Sequence, residues 1–245
     1  MKKPLALLPL LAILISGAAA PNASAILKAV DANLTSISSK SVTRMVIHGK
    51  RSSRTVESIN YSQGREKFFT EYTAPPRDKG TKMLKVGDKL WIYDPGTDRT
   101  VQISGNMLKQ SVMGSDLSYE DFMEETDLTE SYSARVEGDL TYAGRDCWVL
   151  ELNAKTTGLA YPKCTVYVDK QRNVILHERL YARSGKLLKT VSYSRVAKAG
   201  NRWYPHQVLF KDELKQGKGT EYHIESIQFD LALPAATFTK AKLKK

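Results

Sequence analysis

The feature that most constrains this chain is a long series of short segments in which apolar and polar residues alternate, joined by links of only a few residues. Ser41 to His48, Thr55 to Tyr61, Lys67 to Tyr72, Lys82 to Val86 and Leu90 to Tyr93 follow one another in this way, rich in Val, Ile, Tyr, Phe and Thr. Period-two patterning in such residues marks half-buried strands. The links carry turn formers: Gly49, Ser62-Gln63-Gly64, Ala74-Pro75-Pro76 and Gly87-Asp88. A parallel pair needs a long crossover, so links this short make successive strands antiparallel neighbours. Asp94 to Asp98 is a further turn before Thr100 to Ile103, and strands resume at Ser133 to Glu137, Cys147 to Leu152, Thr165 to Val168, Val174 to Tyr181, Leu187 to Val196, Trp203 to Lys211 and Thr220 to Phe229. In the last of these the apolar set Tyr222/Ile224 changes phase to Ile227/Phe229, which predicts a bulge near Glu225-Ser226. The pattern predicts a mainly β (α+β) chain built as one large, strongly curved antiparallel sheet or barrel.

Helical signals are few. Ile26, Leu27, Val30, Leu34 and Ile37 fall on one stripe and predict an amphipathic opening helix over Ile26 to Ile37. From Ser104 to Glu125 alternation stops, and Met107, Leu108, Val112, Met113, Leu117, Tyr119, Phe122 and Met123 form an apolar insertion long enough to be functional. Ser118 followed by Asp121 resembles a capping arrangement and predicts a short helix from about Tyr119 to Glu125. The opening helix and this insertion are expected to cover one concave face. A terminal helix is expected after Pro234, with Lys240 to Lys245 frayed.

The chain begins with Met1-Lys2-Lys3, an apolar run from Leu5 to Ile15 and small residues up to Ala20, the order of a secretory signal and too short for a permanent span. Ala23 and Ala25 frame Ser24, so residues 1–25 are read as a signal peptide and residues 26–245 as one domain, with cleavage after Ala20 as the alternative. No cysteine lies at either site, so a soluble periplasmic protein without a lipid anchor is expected. The net charge of +11 is spread along the chain. It favours solubility and contact with anionic lipid headgroups over nucleic acid. In an oxidising compartment the even pair Cys147 and Cys164 is expected to form a disulfide, contributing about 3 kcal/mol through the unfolded chain.

Motifs for catalysis, metals and cofactors are missing: there is no G-x-S-x-G, no P-loop, no H-E-x-x-H and no G-x-G-x-x-G. His48, His177, His206 and His223 all fall within or beside alternating strands, with no spacing that marks metal ligands. Gly114-Ser115-Asp116-Leu117 has its serine and aspartate in the wrong order for a lipase block. Asp116, Glu120, Asp121, Glu124 and Glu125 form an acidic cluster, read as the solvated face of a helix rather than as paired catalytic carboxylates. No catalytic residue, metal or cofactor is therefore assigned.

The block Lys79-Gly80-Thr81-Lys82-Met83-Leu84-Lys85-Val86-Gly87-Asp88-Lys89-Leu90-Trp91-Ile92-Tyr93-Asp94-Pro95, continued by Arg99 to Ser104 and by Ser111 to Asp121, resembles the signature of the outer-membrane lipoprotein-sorting protein-like family, related to LolA and LolB. Trp203-Tyr204-Pro205, followed by Asp212, is similar to its second block. The resemblance implies an incomplete, strongly curved antiparallel β-barrel whose helices cover a concave apolar face and which holds lipid or lipoprotein acyl chains. Sheltering such chains from water matters because each exposed CH₂ opposes transfer by about 0.8 kcal/mol. On this reading Trp91, Tyr93, Met107, Met113, Phe122 and Met123 line or gate the cavity. Partners would be lipid or acylated lipoprotein, with transient contact to membrane surfaces or an envelope transporter. Two other functions fit the same scaffold: a phospholipase-like hydrolase using Ser115 and one of the histidines, or an accessory module of an envelope lipid exporter.

Overall fold

The computed structural model describes residues 22–123 and 127–244. The signal-peptide reading of residues 1–21, and Glu124 and Glu125 of the acidic cluster, lie outside them. The chain opens with helix α1 (Ala23–Leu34) and runs through β1 (Ser38–His48), β2 (Ser53–Gln63), β3 (Lys67–Ala74), β4 (Lys82–Val86), β5 (Lys89–Asp94) and β6 (Arg99–Ile103). An insertion follows, with two 3₁₀ turns (Gly105–Lys109 and Val112–Gly114) and short helices α2 (Tyr119–Met123) and α3 (Leu128–Ser131). The second strand series is β7 (Tyr132–Tyr142), β8 (Arg145–Ala154), β9 (Lys163–Asp169), β10 (Ile175–Tyr181), β11 (Leu187–Ala199), β12 (Arg202–Asp212) and β13 (Gly219–Phe229), and α4 (Lys240–Leu243) closes the chain.

All strands join one antiparallel 13-stranded sheet in the order β6-β5-β4-β3-β2-β1-β13-β12-β11-β10-β9-β8-β7. Each hairpin is a sequence neighbour, as the short links require. The sheet is thus two meanders, β1–β6 and β7–β13, sewn together by the β1–β13 pair and left open at β6 and β7. Because β6 and β7 are opposite edges, the insertion between them must run from one side of the sheet to the other, and it does so across the concave face. The bulge read from the phase change is present. Val42 faces Ser226 while Thr43 faces Ile224, leaving Glu225 as the extra residue. Register shifts also occur at Glu57/Ser58 and Val136/Gly138, and each such irregularity adds local bend and twist to a sheet.

Alternation sorts side chains onto two faces with different covers. On the concave face of β1–β6, Met83, Leu90 and Ile103 pack under Met107, Leu108, Tyr119, Phe122 and Met123 of the insertion. Beside them, Met45, Val56 and Tyr72 pack with Leu117, Met113 and Phe122. On the concave face of β7–β13, Leu150, Leu152, Val166, Val168, Leu180, Val191, Val208 and Ile224 form the largest core with Ile26, Leu27 and Val30 of α1. The convex face of β3–β5 carries Phe69, Leu84 and Trp91, closed over by Phe238 and Leu243.

Three expectations change. The opening helix is displaced toward the N-terminus: Asn22 caps it, its side chain accepting from the Ser24 and Ala25 amides, and it ends at Leu34, so Leu34 and Ile37 are exposed, Ile37 at 76%. The lysine-rich end is folded up to Lys244, because Leu243 fills the convex core at 0% exposure and the Lys240 ammonium sits 4.3 Å from the Trp91 ring centroid. Cys147 and Cys164 are not bonded to one another. Cys147 faces Asp169 and Cys164 faces Leu152 across β8–β9. They are five positions out of register, about 16 Å along the strands, and on opposite faces, whereas a disulfide needs Cα atoms within about 7 Å.

Candidate functional site

The insertion does not fill the whole concavity. Under it lie two adjoining cavities. The larger, about 450 Å³, opens between α1 and the β2–β3 turn, with Leu34, Ser36, Gly64 and Arg65 among its lining residues. The smaller, about 230 Å³, lies over β8–β11 and is walled by Leu128, Leu152, Val166, Leu180 and Val191. Asp121, Leu128, Glu178, Tyr193 and Phe210 border both, so the two adjoin across these side chains, and the larger is in the size range of small-molecule sites.

The walls of the larger chamber differ in chemistry. On the β12–β13 side they are Tyr204, Val208, Phe210, Tyr222, Ile224 and Ile227; on the β1–β2 side they are Ser39, Ser41, Thr43, Asn60 and Ser62. The polar wall is internally satisfied. Ser39 and Ser62 hydroxyls lie 2.7 Å apart, Thr43 and Ser58 2.9 Å, and the Asn60 amide donates to Thr43 at 2.9 Å while accepting from Thr70 at 2.8 Å. Cross-strand bonding of this kind lets polar side chains face a cavity without stranded donors.

The insertion is held down by charge. The predicted capping pair is formed: the Asp121 carboxylate accepts from the Ser118 amide at 2.6 Å and hydroxyl at 2.9 Å, and the Asp121 amide donates back at 3.3 Å. The same carboxylate accepts from the Tyr161 hydroxyl at 2.7 Å and pairs with Lys189 of β11, itself 5% exposed. Asp121 therefore ties α2 to the far side of the cavity and is no part of a solvated face. Asp116 is buried as well, accepting from Thr220 at 2.7 Å and from the Asp212 amide at 3.0 Å. Asp31 of α1 accepts from the Leu128 and Thr129 amides at 3.0 and 2.9 Å, fixing the start of α3. At the mouth, Arg65 bonds Asp127 and the Thr35 hydroxyl.

Where the two chambers meet stands Glu178. Burial pushes its carboxyl up to about 7, against the hydrogen bond that the Tyr193 hydroxyl donates and with some help from the Asp121 charge. Burial likewise raises Tyr193 well above the ordinary phenol range, with Glu178 adding to it.

Of the residues expected at the cavity, Phe122 lines it. Met107, Met113 and Met123 belong to the insertion that packs on the β1–β6 half. Trp91 and Tyr93 point the other way: their phase on β5 puts them on the convex face, with Phe69, Leu84 and Phe238. Ser115 is fully buried and its hydroxyl bonds the Leu117 backbone. Among the described residues no histidine hydrogen-bonds it: His48 and His223 bond Glu221, His177 bonds Ser192 and His206 bonds the Tyr204 carbonyl. Among the described residues no cluster of three or more His, Cys, Asp or Glu is placed to hold a metal. Sequence reading missed Glu178 and Lys189, although a signal existed. Each charge occupies the inward phase of its strand, Glu178 with Leu180 and Lys189 with Val191 and Tyr193.

An open antiparallel half barrel with a helical insertion across a concave, partly apolar cavity defines a lipoprotein-carrier-like scaffold. A domain of an outer-membrane lipoprotein-sorting protein from Vibrio parahaemolyticus is similar to it, with 25% identity, TM-score 0.80, and 91% of this chain and 98% of that one covered. A DUF1329 family protein from Desulfovibrio piger matches with 25% identity and TM-score 0.81 over 90% and 97% of the two chains. A LolA superfamily protein from Nitrosomonas europaea shares the fold at 22% identity and TM-score 0.73 over 91% and 100%. No curated protein matches the chain. Residues 64–245 match the model of a family described as "Uncharacterized protein", and the chain belongs to that family; its structural neighbours are outer-membrane lipoprotein-sorting, LolA superfamily and DUF1329 proteins.

Proposed function

We propose that this protein is a soluble periplasmic carrier that binds lipid or lipoprotein acyl chains in the two adjoining cavities and moves them across the cell envelope toward the outer membrane. The observation that carries this is the pair of adjoining chambers, about 450 and 230 Å³, walled by Leu, Val, Ile, Phe and Tyr side chains except along the polar β1–β2 side of the larger one, and roofed by a short insertion rather than by sheet. Such a roof is held by apolar packing on β1–β6 and by a few polar ties, and its α2–α3 part can lift without unpairing a strand of the sheet. Among the described residues no helix is long and apolar enough to cross a membrane. Transient partners would be membrane surfaces or an envelope transporter.

Export is part of the reading. Asn22 caps α1 and Ala23 packs against the large core, so removal of residues 1–25 would strip the cap and the first helical residues. We therefore place signal processing after Ala20, and the intact mass of protein recovered from the periplasm checks it. Carrier function is tested by extracting the purified protein for mass spectrometry of bound lipid and by titrating delipidated protein with a fluorescent acyl chain. Co-purifying lipid and saturable fluorescence enhancement are expected. No binding after repeated delipidation would end the proposal.

A further inference from the structure

Three cavities converge on a pair of side chains, Glu178 and Tyr193, and of these Glu178 is the carboxyl group. Glu178 borders the 450 Å³ chamber, the 230 Å³ chamber and a small void of about 40 Å³ beneath α1. The deep chamber beyond it is predominantly aliphatic and aromatic. A carboxyl group at such a junction is costly unless it is paired or put to use, and among the described residues no cation forms an ion pair with it. Lys189, the one cation that lines the deep chamber among the described residues, is matched by Asp121. Arg65, at the mouth, is matched by Asp127. Tyr193 donates its hydroxyl hydrogen to Glu178. That leaves the O–H of the carboxylic acid form as a donor facing the cavity.

We propose that Glu178 is the polar anchor of the cavity, donating a hydrogen bond to the carbonyl oxygen of an ester- or amide-bearing acyl lipid whose hydrocarbon tail fills the chamber between Leu152, Val166, Leu180 and Val191. The assignment rests on the carrier reading and adds a ligand class and a depth. The charge balance selects that class. A carboxylate or phosphate placed here would add a negative charge beside Asp121. A neutral carbonyl needs only a donor, which an acid supplies and a carboxylate cannot.

The same geometry makes binding depend on pH. Groups facing Glu178 are Asp121 from α2, Lys189 and Tyr193 from β11, Tyr204 from β12, and Tyr132 and Tyr161 bordering the deep chamber, with Arg65 at the far rim. No histidine lines either chamber, and Tyr193 keeps its proton. With Glu178 raised to about 7 by burial, the acid form predominates at pH 6 and is nearly gone at pH 8.5. Apparent affinity scales with the competent fraction and should fall roughly thirtyfold over that range.

The test uses the delipidated full mature chain and two pyrene probes with the same ten-carbon chain, methyl 10-(pyren-1-yl)decanoate and 1-decylpyrene, which lacks the ester. The ester is expected to bind tightly at pH 6 and weakly at pH 8.5, and the hydrocarbon equally at both. Glu178→Gln keeps a donor at every pH and should hold the ester at pH 8.5 as well as the unaltered protein does at pH 6. Glu178→Leu should keep decylpyrene and lose the preference for the ester. Equal, pH-independent binding of both probes, or a Glu178→Gln variant that fails to bind the ester while still binding decylpyrene, overturns the anchor and leaves the carrier intact. Binding of neither probe overturns the carrier reading and the anchor with it.

Discussion

The two meanders are made of the same kind of strand and end in opposite states. In β3–β6 both faces are covered: the insertion fills the concave side against Met83, Leu90 and Ile103, and the C-terminal turn seals Phe69, Leu84 and Trp91 on the convex side, while β1 and β2 turn their satisfied polar wall to the larger chamber. In β7–β13 the concave side packs α1 at one end and is otherwise left open, so that Leu180, Val191 and Tyr193 border empty space. One half is a finished core that holds the roof, and the other is a core with part of its filling withheld. A carrier needs this division, because a cavity stays open only if something rigid keeps its walls apart.

The largest expected effect separates the halves by stability. Phe69 is 0% exposed and enclosed on every side, so Phe69→Ala should cost about 4 kcal/mol. Leu180 is 8% exposed and lines the deep chamber. Its contacts are already missing on one side, and Leu180→Ala should fall at the low end of such truncations, about 2 kcal/mol. Urea midpoints of the two variants measure the difference. Equal costs would mean that the open half is packed as tightly as the closed one.

A second contrast concerns charge inside the open half. Glu178 holds its proton in the folded chain up to about 7 and in the unfolded chain only to about 4.5. Between those values the native state binds more protons, so stability is fully present below about pH 4.5, declines as pH rises through 7 and stays lower above. Glu178→Gln removes the titration. It should raise stability by about 3 kcal/mol at pH 8.5 relative to the parent, with the gap closing toward pH 4.5. Thermal melts at both pH values would show it, and a constant gap would place the cause elsewhere than in ionisation.

Local features of this molecule could be read from sequence and distant ones could not. The hairpins, the bulge at Glu225 and the Ser118–Asp121 capping pair depend on residues within a few positions of each other, and each was legible. Alternation also put Trp91 and Tyr93 together on one face. Which face is concave depends on the curvature of the whole sheet, so they were assigned to the wrong side. The disulfide expectation came from compartment and parity of number; the β8–β9 register, which decides it, is set by strands packing against the common core. The acidic cluster looked solvated because charged residues on short helices usually are. Asp121 has its partner at Lys189, on a strand far along the chain.

That partner supplies the smallest of the three effects and the one that joins the halves. Asp121 and Lys189 side chains are 13% and 6% exposed, so removing either alone leaves a buried charge unmatched and destabilises strongly. Single losses of that kind mix the value of the pair with the cost of the orphan, which a double-mutant cycle separates. Asp121→Asn, Lys189→Met and their combination should give a coupling of about 2 kcal/mol, with the double variant more stable than either single one. If the pair latches the roof, the double variant should also exchange the Tyr119–Met123 amides faster while the β3–β4 amides stay protected. Exchange that rises equally in both places would mean that the pair stabilises the sheet as a whole, and the roof would need another hold on the cavity it covers.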